Sequence, residues 1–347
     1  YLLHLAYHLA GPLDVDALRR ALSALLARHD ALRATIALDG DEPVQHTGEP
    51  GPWPLAVEDL TPLDPAGRAV AVAAGLAAEA GEPMDLTGGP LVRGRLLRLA
   101  AEEHVLVLTV HHIVADEWSL AILARDLGSL YGDSEVPLPQ PAIRYADYAA
   151  WQRDWVDGSE CAAQVAHWRS TLDGAPPALD LPLAGPRPVD PTDAGAAVPV
   201  DLPVPVPALR ELCKRLGATP QMVLMTAFAV LLARYSRQDD LVIGTPIANR
   251  NRAEVEGVVG LFVNTLPVRV DLTGDPTFAD AVLRVRDAML GAHANQDVPL
   301  ERLVTALCPH REAGRNPLFQ AMFSYEQGAA ELALPGVTAT PIEPPST

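Results

Sequence analysis

The sequence predicts an α+β fold organised as two lobes. Three observations carry that expectation. Helical and strand-like stretches follow one another without the strict alternation of a doubly wound fold. Residues 104–110 are apolar on both alternating faces, the pattern of a strand covered on both sides. Residues 174–207 are so dense in proline that they cannot sustain a helix, and they separate two patterned halves. The expected organisation is an N-terminal lobe over residues 1–173, a proline-rich connection over 174–207 and a C-terminal lobe over 208–347.

In chain order, residues 1–10 read as a strand, and Gly11-Pro12-Leu13-Asp14 as a turn whose Asp14 caps the next helix. That helix is amphipathic, because Val15, Leu18, Leu22, Leu25 and Leu26 recur at helical spacing while Arg19, Arg20 and Arg28 fall elsewhere. Residues 31–36 alternate towards a strand. Residues 65–80 form an alanine-rich helix, Gly88-Gly89-Pro90 is a break, and 91–99 and 104–110 are adjacent strands. Residues 118–131 carry Leu120, Leu123, Leu127 and Leu130 on one helical face. Two aromatic-rich helices over 145–156 and 160–172 place Tyr145, Tyr148, Trp151, Trp155 and Trp168 in the expected core. Within the connection, 197–202 is open to pairing as an edge strand. Beyond it, 208–216, 220–235, 278–293 and 300–307 read as helices, and 240–244, a segment leading from 260 to 270, and 317–325 as strands.

At 347 residues and 49% apolar composition, the chain is long enough for two ordinary domains with a sizeable core. A net charge of −18 with no cluster of lysines and arginines excludes nucleic acid and anionic membrane surfaces from the expected partners, since both repel an acidic protein. Cys161, Cys213 and Cys308 are few, far apart and odd in number, which suits a reducing compartment and matches neither a zinc spacing nor a disulfide framework. No signal-peptide pattern opens the chain, and no apolar run approaches the ~20 residues that a membrane helix needs. The expected location is cytoplasmic.

Most of the chemistry lies just after the covered strand, in His111-His112-Ile113-Val114-Ala115-Asp116-Glu117-Trp118-Ser119. Two imidazoles, two carboxylates and a hydroxyl so close together serve no packing purpose, and burying them costs free energy unless each finds a partner. The stretch joins a strand to a helix, where the helix start supplies unpaired N–H donors and the sheet supplies rigidity. Adjacent side chains of a strand point to opposite faces, so only one of His111 and His112 is expected to face a given cavity. Histidine and aspartate are metal ligands, but no second cluster with ligand spacing appears, and no metal is expected. A serine hydrolase needs a Gly-x-Ser-x-Gly elbow, which is missing, and Ser119 reads as a helix cap. What remains is one exposed imidazole that handles a proton, or orients an amine or hydroxyl attacking an acyl group. Asp116 then faces away and fixes the loop through an arginine, because a buried carboxylate needs a partner.

The pattern His-His-x-x-x-Asp-x-x-Ser resembles the core signature of the condensation domains of non-ribosomal peptide synthetases. Chloramphenicol acetyltransferase-like relatives share only its His-x-x-x-Asp part. Six flanking blocks resemble further motifs of the family, in family order. They are Arg28-His-Asp-Ala-Leu-Arg33, Tyr145-Ala-Asp-Tyr-Ala-Ala-Trp-Gln152, Ile243-Gly-Thr-Pro-Ile-Ala-Asn-Arg250, Gly260-Leu-Phe-Val-Asn-Thr-Leu266, Gln296-Asp-Val-Pro-Leu-Glu301 and Arg315-Asn-Pro-Leu-Phe-Gln320. The resemblance runs over essentially the whole chain.

It implies two chloramphenicol acetyltransferase-like lobes arranged as a V-shaped pseudo-dimer with a central tunnel. It also implies an acyltransferase that forms amides. An upstream donor carrier protein brings an acyl or peptidyl thioester on its 4′-phosphopantetheine arm to one mouth, and a downstream acceptor carrier brings an aminoacyl thioester to the other. The α-amine of the second attacks the first. No intrinsically bound cofactor is implied, and an adenylation domain of the same synthetase is an implied neighbour. Carried onto this sequence, His112 is the catalytic histidine and His111 the structural one. Asp116 is the loop-holding carboxylate, with Arg250 as its partner. Glu117, Trp118 and Ser119 are expected along the substrate tunnel, and their backbone N–H groups are candidates to stabilise an oxyanion.

Two features depart from the family pattern. The position after Asp116 is usually glycine, and Glu117 puts a side chain there that narrows the tunnel or favours a cationic acceptor amine. The opening Ser-x-Ala-Gln segment of the family is missing, and the C-terminal lobe is expected to be incomplete. Other readings stay open. An epimerisation domain shares the two histidines, although its closing motif resembles Phe-Asn-Tyr-Leu-Gly where this chain has Phe319-Gln-Ala-Met-Phe-Ser-Tyr325. A non-catalytic platform that recruits carrier or tailoring proteins is a second, and a stand-alone acyltransferase for a soluble amine or alcohol is a third.

Overall fold

The computed structural model describes residues 1–132, 138–182, 185, 195–308, 316–326, 328 and 330–343. Arg315 of the last family-like block, most of residues 183–194 of the connection and residues 344–347 lie outside them. The chain opens with strand β1 (Leu2–Ala10) and helix α1 (Val15–Arg28), capped by Asp14, whose carboxylate accepts the N–H groups of Asp16 and Ala17 at 2.9 Å. Asp30–Arg33 then makes one 3-10 turn, and strand begins only at β2 (Ala34–Asp39), in a hairpin with β3 (Glu42–Thr47). The strand expected from residue 31 is thus corrected: the turn buries Ala31 and Leu32, and a short apolar run does not separate a turn from a strand by period.

Next come β4 (Leu55–Asp59), α2 (Pro65–Gly81), β5 (Val92–Ala100), β6 (Glu103–His111) and α3 (Glu117–Tyr131). Helices α4 (Tyr145–Val156) and α5 (Ser159–Leu172) lead into the connection. Beyond it lie α6 (Val206–Leu216), α7 (Pro220–Ser236), β7 (Asp240–Ile247), α8 (Ala253–Glu256), β8 (Asn264–Asp271), α9 (Phe278–Ala294), α10 (Leu300–Leu307) and β9 (Thr338–Pro341). Strands β3, β4 and β9 have no counterpart in the sequence reading, being four to six residues long and largely exposed, with little apolar alternation to betray them. Among the described residues, no single helix is long and apolar enough to cross a membrane.

The expected α+β class is what the chain adopts. A five-stranded sheet runs in the order β4-β5-β6-β1-β9, and β7 and β8 form a separate antiparallel pair. Strand β6 lies between β5 and β1, and its alternate residues feed two cores. Leu106, Leu108 and Val110 pack with Leu22 and Leu25 of α1 and Leu123 of α3, whereas Val105 and Val107 pack with Leu76 of α2. Helices on both faces explain the two-sided apolar run. A further core joins α7, β7, β8 and α9 through residues such as Met225, Ile243, Val268 and Val285.

Packing moves both expected lobe boundaries. Helix α5, assigned to the lobe over residues 1–173, buries Cys161 and Trp168 in the core of the second lobe, and the Trp168 indole donates to the Asn295 carbonyl at 2.8 Å. Leu332, Leu334 and Val337, assigned to the lobe over 208–347, return to the first core, and β9 closes the first sheet against β1. Apolar faces pair with whichever complementary face is nearest in space. Residues 197–202 make no strand, and Val198, Val200 and Leu202 stay exposed. Residues 317–325 form no ladder strand either: Gly244 bridges Met322, accepting from the Phe323 N–H at 2.8 Å and donating to the Ala321 carbonyl at 2.9 Å. Of the aromatic residues expected in the core, Tyr148 and Trp168 are buried, while Trp151 lies at the surface under the Arg252 guanidinium, 4.7 Å away.

Helices α1 and α3 are tied by Asp126, whose side chain is fully buried. It accepts from Arg28 Nε at 2.8 Å and from Arg125 Nε and Nη2 at 2.9 and 2.8 Å, and lies 3.1 Å from His29 Nε2. Burial pushes its carboxyl pKa up, but the hydrogen bonds from His29, Arg125 and Arg28 outweigh burial and hold it at about 2. The folded value lies below the unfolded one, so this stabilisation is fully present above roughly pH 4 and is lost as pH falls towards 2. Urea denaturation is therefore expected to lose on the order of 2 kcal/mol across that acid window through this group. Asp126→Asn should flatten that limb and lower stability at neutral pH.

Candidate active site

Strand β6 ends at His111, the chain tightens into a 3-10 turn over His112–Val114, and Asp116 starts α3. Asp116 Oδ1 accepts the Ser119 N–H at 2.8 Å, so Asp116 is the cap of this helix. The capping role expected of Ser119 is corrected accordingly. The Ser119 hydroxyl, fully buried, lies 2.7 Å from Asp116 Oδ1 and 3.0 Å from the Gly260 carbonyl, and accepts the Gly260 N–H at 3.1 Å.

Arg250 completes this node. Its Nη2 donates to the two Asp116 oxygens at 2.9 and 3.2 Å and to Ser119 Oγ at 2.9 Å. Its Nη1 donates to the carbonyls of Val255 and Val258, each at 2.6 Å, and the Phe262 N–H donates to Asp116 Oδ2 at 3.0 Å. The side chains of Arg250 and Asp116 are 1% and 3% exposed, and the guanidinium sits 4.1 Å from the Phe262 ring centroid. Such a pair is stable because hydrogen bonds replace the hydration that both charges lose. It joins the β6–α3 connection to residues 250–262.

Both histidines border one cavity of about 570 Å³. The expectation that they diverge fails because the strand stops at His111, so the two-residue alternation does not reach His112. Their hydrogen bonds set opposite tautomers. His111 Nδ1 accepts the Ile113 N–H at 3.0 Å, so a neutral His111 carries its proton on Nε2, and burial lowers its pKa towards that form. His112 Nδ1 lies 2.9 Å from the Ala115 carbonyl, which can only accept, so the proton is on Nδ1 and Nε2 of the neutral ring holds a lone pair. His111 therefore props the turn as well as lining the cavity, and His112 lines it with the lone pair of its neutral form on Nε2.

None of Glu117, Trp118 and Ser119 lines this cavity. Ser119 is sealed in the ion-pair node, and the Trp118 indole, 47% exposed, donates to the Glu256 carbonyl at 2.9 Å. Glu117 is exposed at the start of α3, where partial desolvation and then Glu326 push its carboxyl pKa up. The tunnel-lining expectation for these three is corrected for the cavity that holds His112. The oxyanion expectation loses the Ser119 N–H, which Asp116 already accepts. The cavity instead takes its walls from residues that no single role marked out: Tyr145 and Gln152 of α4, Asn249, the 261–265 segment, and Pro299 to Glu301. The signal was present, since these positions fall inside four of the family-like blocks.

Gly260 is where two of those walls meet. A Cβ there runs into the ring of Tyr145, whose hydroxyl donates to the Leu261 carbonyl at 2.9 Å. Gly260→Ala is expected to cost about 1–3 kcal/mol through overpacking and to shift Tyr145, read as a lowered Tm and altered ring resonances. Asp116→Ala leaves the buried guanidinium unpaired and is expected to cost about 3–5 kcal/mol in chemical denaturation; parent-like stability would refute the node.

The condensation-domain family model matches residues 1–334. The chain is 43% identical over 331 residues to the phosphinothricin tripeptide synthetase PhsC of Streptomyces viridochromogenes, covering 92% of this chain and 30% of that protein. It is 41% identical over 339 residues to the malpibaldin synthetase of Mortierella alpina, covering 96% of this chain and 6% of that protein. The chain thus spans less than a third of either relative. Its structure is similar to that of the X-domain from teicoplanin biosynthesis, with a TM-score of 0.86 and 32% identity over 99% of this chain and 77% of that one. The family match over nearly the whole chain, carried by a chloramphenicol acetyltransferase-like α+β fold, shows that the chain belongs to the condensation domains of non-ribosomal peptide synthetases.

Proposed function

We propose that this condensation domain forms an amide bond between a carrier-bound donor acyl or peptidyl thioester and the α-amine of a carrier-bound acceptor aminoacyl thioester. The observation that carries the reading is the His112 tautomer, with Nδ1–H on the Ala115 carbonyl and the Nε2 lone pair on a ring that lines the cavity. An α-amine with an ordinary pKa of about 7.7–8.0 is partly neutral near neutral pH, and a thioester is a reactive acyl donor, so strong base catalysis is not required. The amine nitrogen attacks the thioester carbon, and His112 Nε2 takes the amine proton as the tetrahedral adduct forms. Collapse breaks the C–S bond, and the departing thiol of the donor arm leaves with the proton. Orientation in the cavity supplies much of the remaining acceleration. In this reading the substrates arrive on 4′-phosphopantetheine arms of upstream and downstream carrier proteins, with an adenylation domain of the same synthetase nearby.

A single-turnover assay with loaded donor and acceptor carriers tests it. The parent is expected to release the condensed product, and His112→Ala to bind both carriers while losing on the order of 100-fold or more in rate. Carrier binding without product in the parent assigns the domain a platform role instead. Exchange of the acceptor Cα hydrogen with solvent, without amide formation, assigns epimerisation.

A further inference from the structure

The cavity bordered by His112 carries two asparagines in opposite hydrogen-bonding situations. Asn264 uses both ends of its carboxamide within the chain. Its Nδ2 donates to the carbonyls of Gln296 and Val298 at 3.0 and 2.8 Å, and its Oδ1 accepts the N–H groups of Thr265 and Leu300 at 2.9 and 3.1 Å. That side chain is a brace. Asn249 differs: its Nδ2 donates to the Tyr148 hydroxyl at 3.4 Å, and among the described residues nothing donates to its Oδ1. The residue is 8% exposed and lines the cavity, so its carboxamide borders the space in which a ligand would sit.

Two more features fix that acceptor in place. Asn249 has φ = 52°, in the left-handed region that non-glycine residues seldom occupy, so the surrounding structure holds its backbone. From α4, Gln152 Nε2 donates to the same Tyr148 hydroxyl at 3.1 Å, and Gln152 lines the cavity as well. Tyr148 is buried, and burial pushes its pKa up to about 12, so the hydroxyl between the two carboxamides is a neutral phenol. This wall is thus polar and uncharged. Among the described residues nothing donates to the carboxamide oxygens of Asn249 and Gln152, and such an oxygen is complementary to a neutral N–H; of the two, Asn249 is the one whose backbone is held in the left-handed region.

We propose that Asn249, braced by Tyr148 and Gln152, is a recognition residue for a secondary amide of the thioester-linked substrate, whose N–H donates to Asn249 Oδ1. The proposal rests on the cavity being the acyl-substrate site. Secondary amides occur in two parts of such a substrate, the tethering arm and the backbone of a peptidyl donor, and both offer the same N–H.

Ligand-observed NMR titration with two amide–ester probe pairs tests it without any turnover. The arm pair is the S-propyl thioether of N-acetylcysteamine and its O-acetyl ester counterpart. The backbone pair is N-acetylglycine propyl ester and acetoxyacetic acid propyl ester. Each swap replaces the N–H by an ester oxygen at nearly constant shape, and the Asn249→Gly comparison separates the lost donor from the weaker ester carbonyl. For the parent protein, the amide of one pair is expected to bind about three- to tenfold more tightly than its ester, the range of a single net hydrogen bond, and the discriminating pair identifies the source. Asn249→Gly keeps the left-handed backbone accessible and should bring that ratio to about one by weakening only the amide. Gln152→Leu should lower the ratio partway, which keeps the idea testable if the glycine variant does not fold. Equal binding of amide and ester in both pairs, no binding by any probe, or an equal loss of amide and ester in Asn249→Gly overturns the assignment. If condensation fails in the carrier assay while the amide–ester ratio persists, the proposed reaction falls and the amide site stands.

Discussion

The structure depends on one buried ion pair. Asp116 and Arg250 are 134 positions apart, yet each is almost fully removed from water; both Asp116 oxygens and both terminal guanidinium nitrogens of Arg250 are matched by the other, by Ser119 or by nearby backbone, while Arg250 Nε has no hydrogen-bond partner among the described residues. A charge in such a site is tolerated only when its lost hydration is replaced. That demand dictates local geometry on both sides. It sets the first turn of α3, through the Ser119 N–H, and the path of residues 255–262, through the carbonyls of Val255 and Val258 and the N–H of Phe262. The cavity lies between the two segments so fixed, and the node acts as its frame.

The chemistry follows from how β6 ends. A strand that continued through His112 would send one imidazole to each face of the sheet. Because a 3-10 turn begins at that residue, both rings border one cavity, and each is oriented by a different backbone group. The Ala115 carbonyl holds the His112 proton on Nδ1 and leaves the lone pair on Nε2, whereas the Ile113 N–H gives His111 the opposite tautomer. Two adjacent residues of the same type thereby acquire different capabilities, which makes His112 the residue on which the proposed amide-forming reaction turns. Around them the walls are mainly neutral. Carboxamides, a phenol and apolar side chains suit an extended acyl chain better than a highly charged ligand.

Much of this was legible in the residues. The two-sided apolar run of β6 announced a strand covered on both sides, Asp14 announced the cap of α1, and the leucine spacing announced α1 and α3, because each signal is local and repeats with the period of its element. The six flanking blocks announced the family. They also contain most residues that line the cavity, although no local rule says that Tyr145, Asn249 and Glu301 share one wall system. Misreadings arose where a local signal had two solutions. Ser119 and Asp116 are both good capping residues, and only the hydrogen bond itself shows which one caps α3.

By itself, then, the sequence determined the α+β class, the principal helices, the covered central strand and the double-histidine signature, since periodicity and capping chemistry act over a few residues. Tertiary structure alone decided that α5 joins the second core, that Leu332, Leu334 and Val337 return to the first core and residues 338–341 to the first sheet, that both imidazoles meet one cavity, and that among the described residues nothing donates to Asn249 Oδ1 while Asn264 Oδ1 is matched. The physical reason is common to all four. Each depends on which distant surface excludes water or supplies a hydrogen bond, and that is settled only when the chain packs against itself.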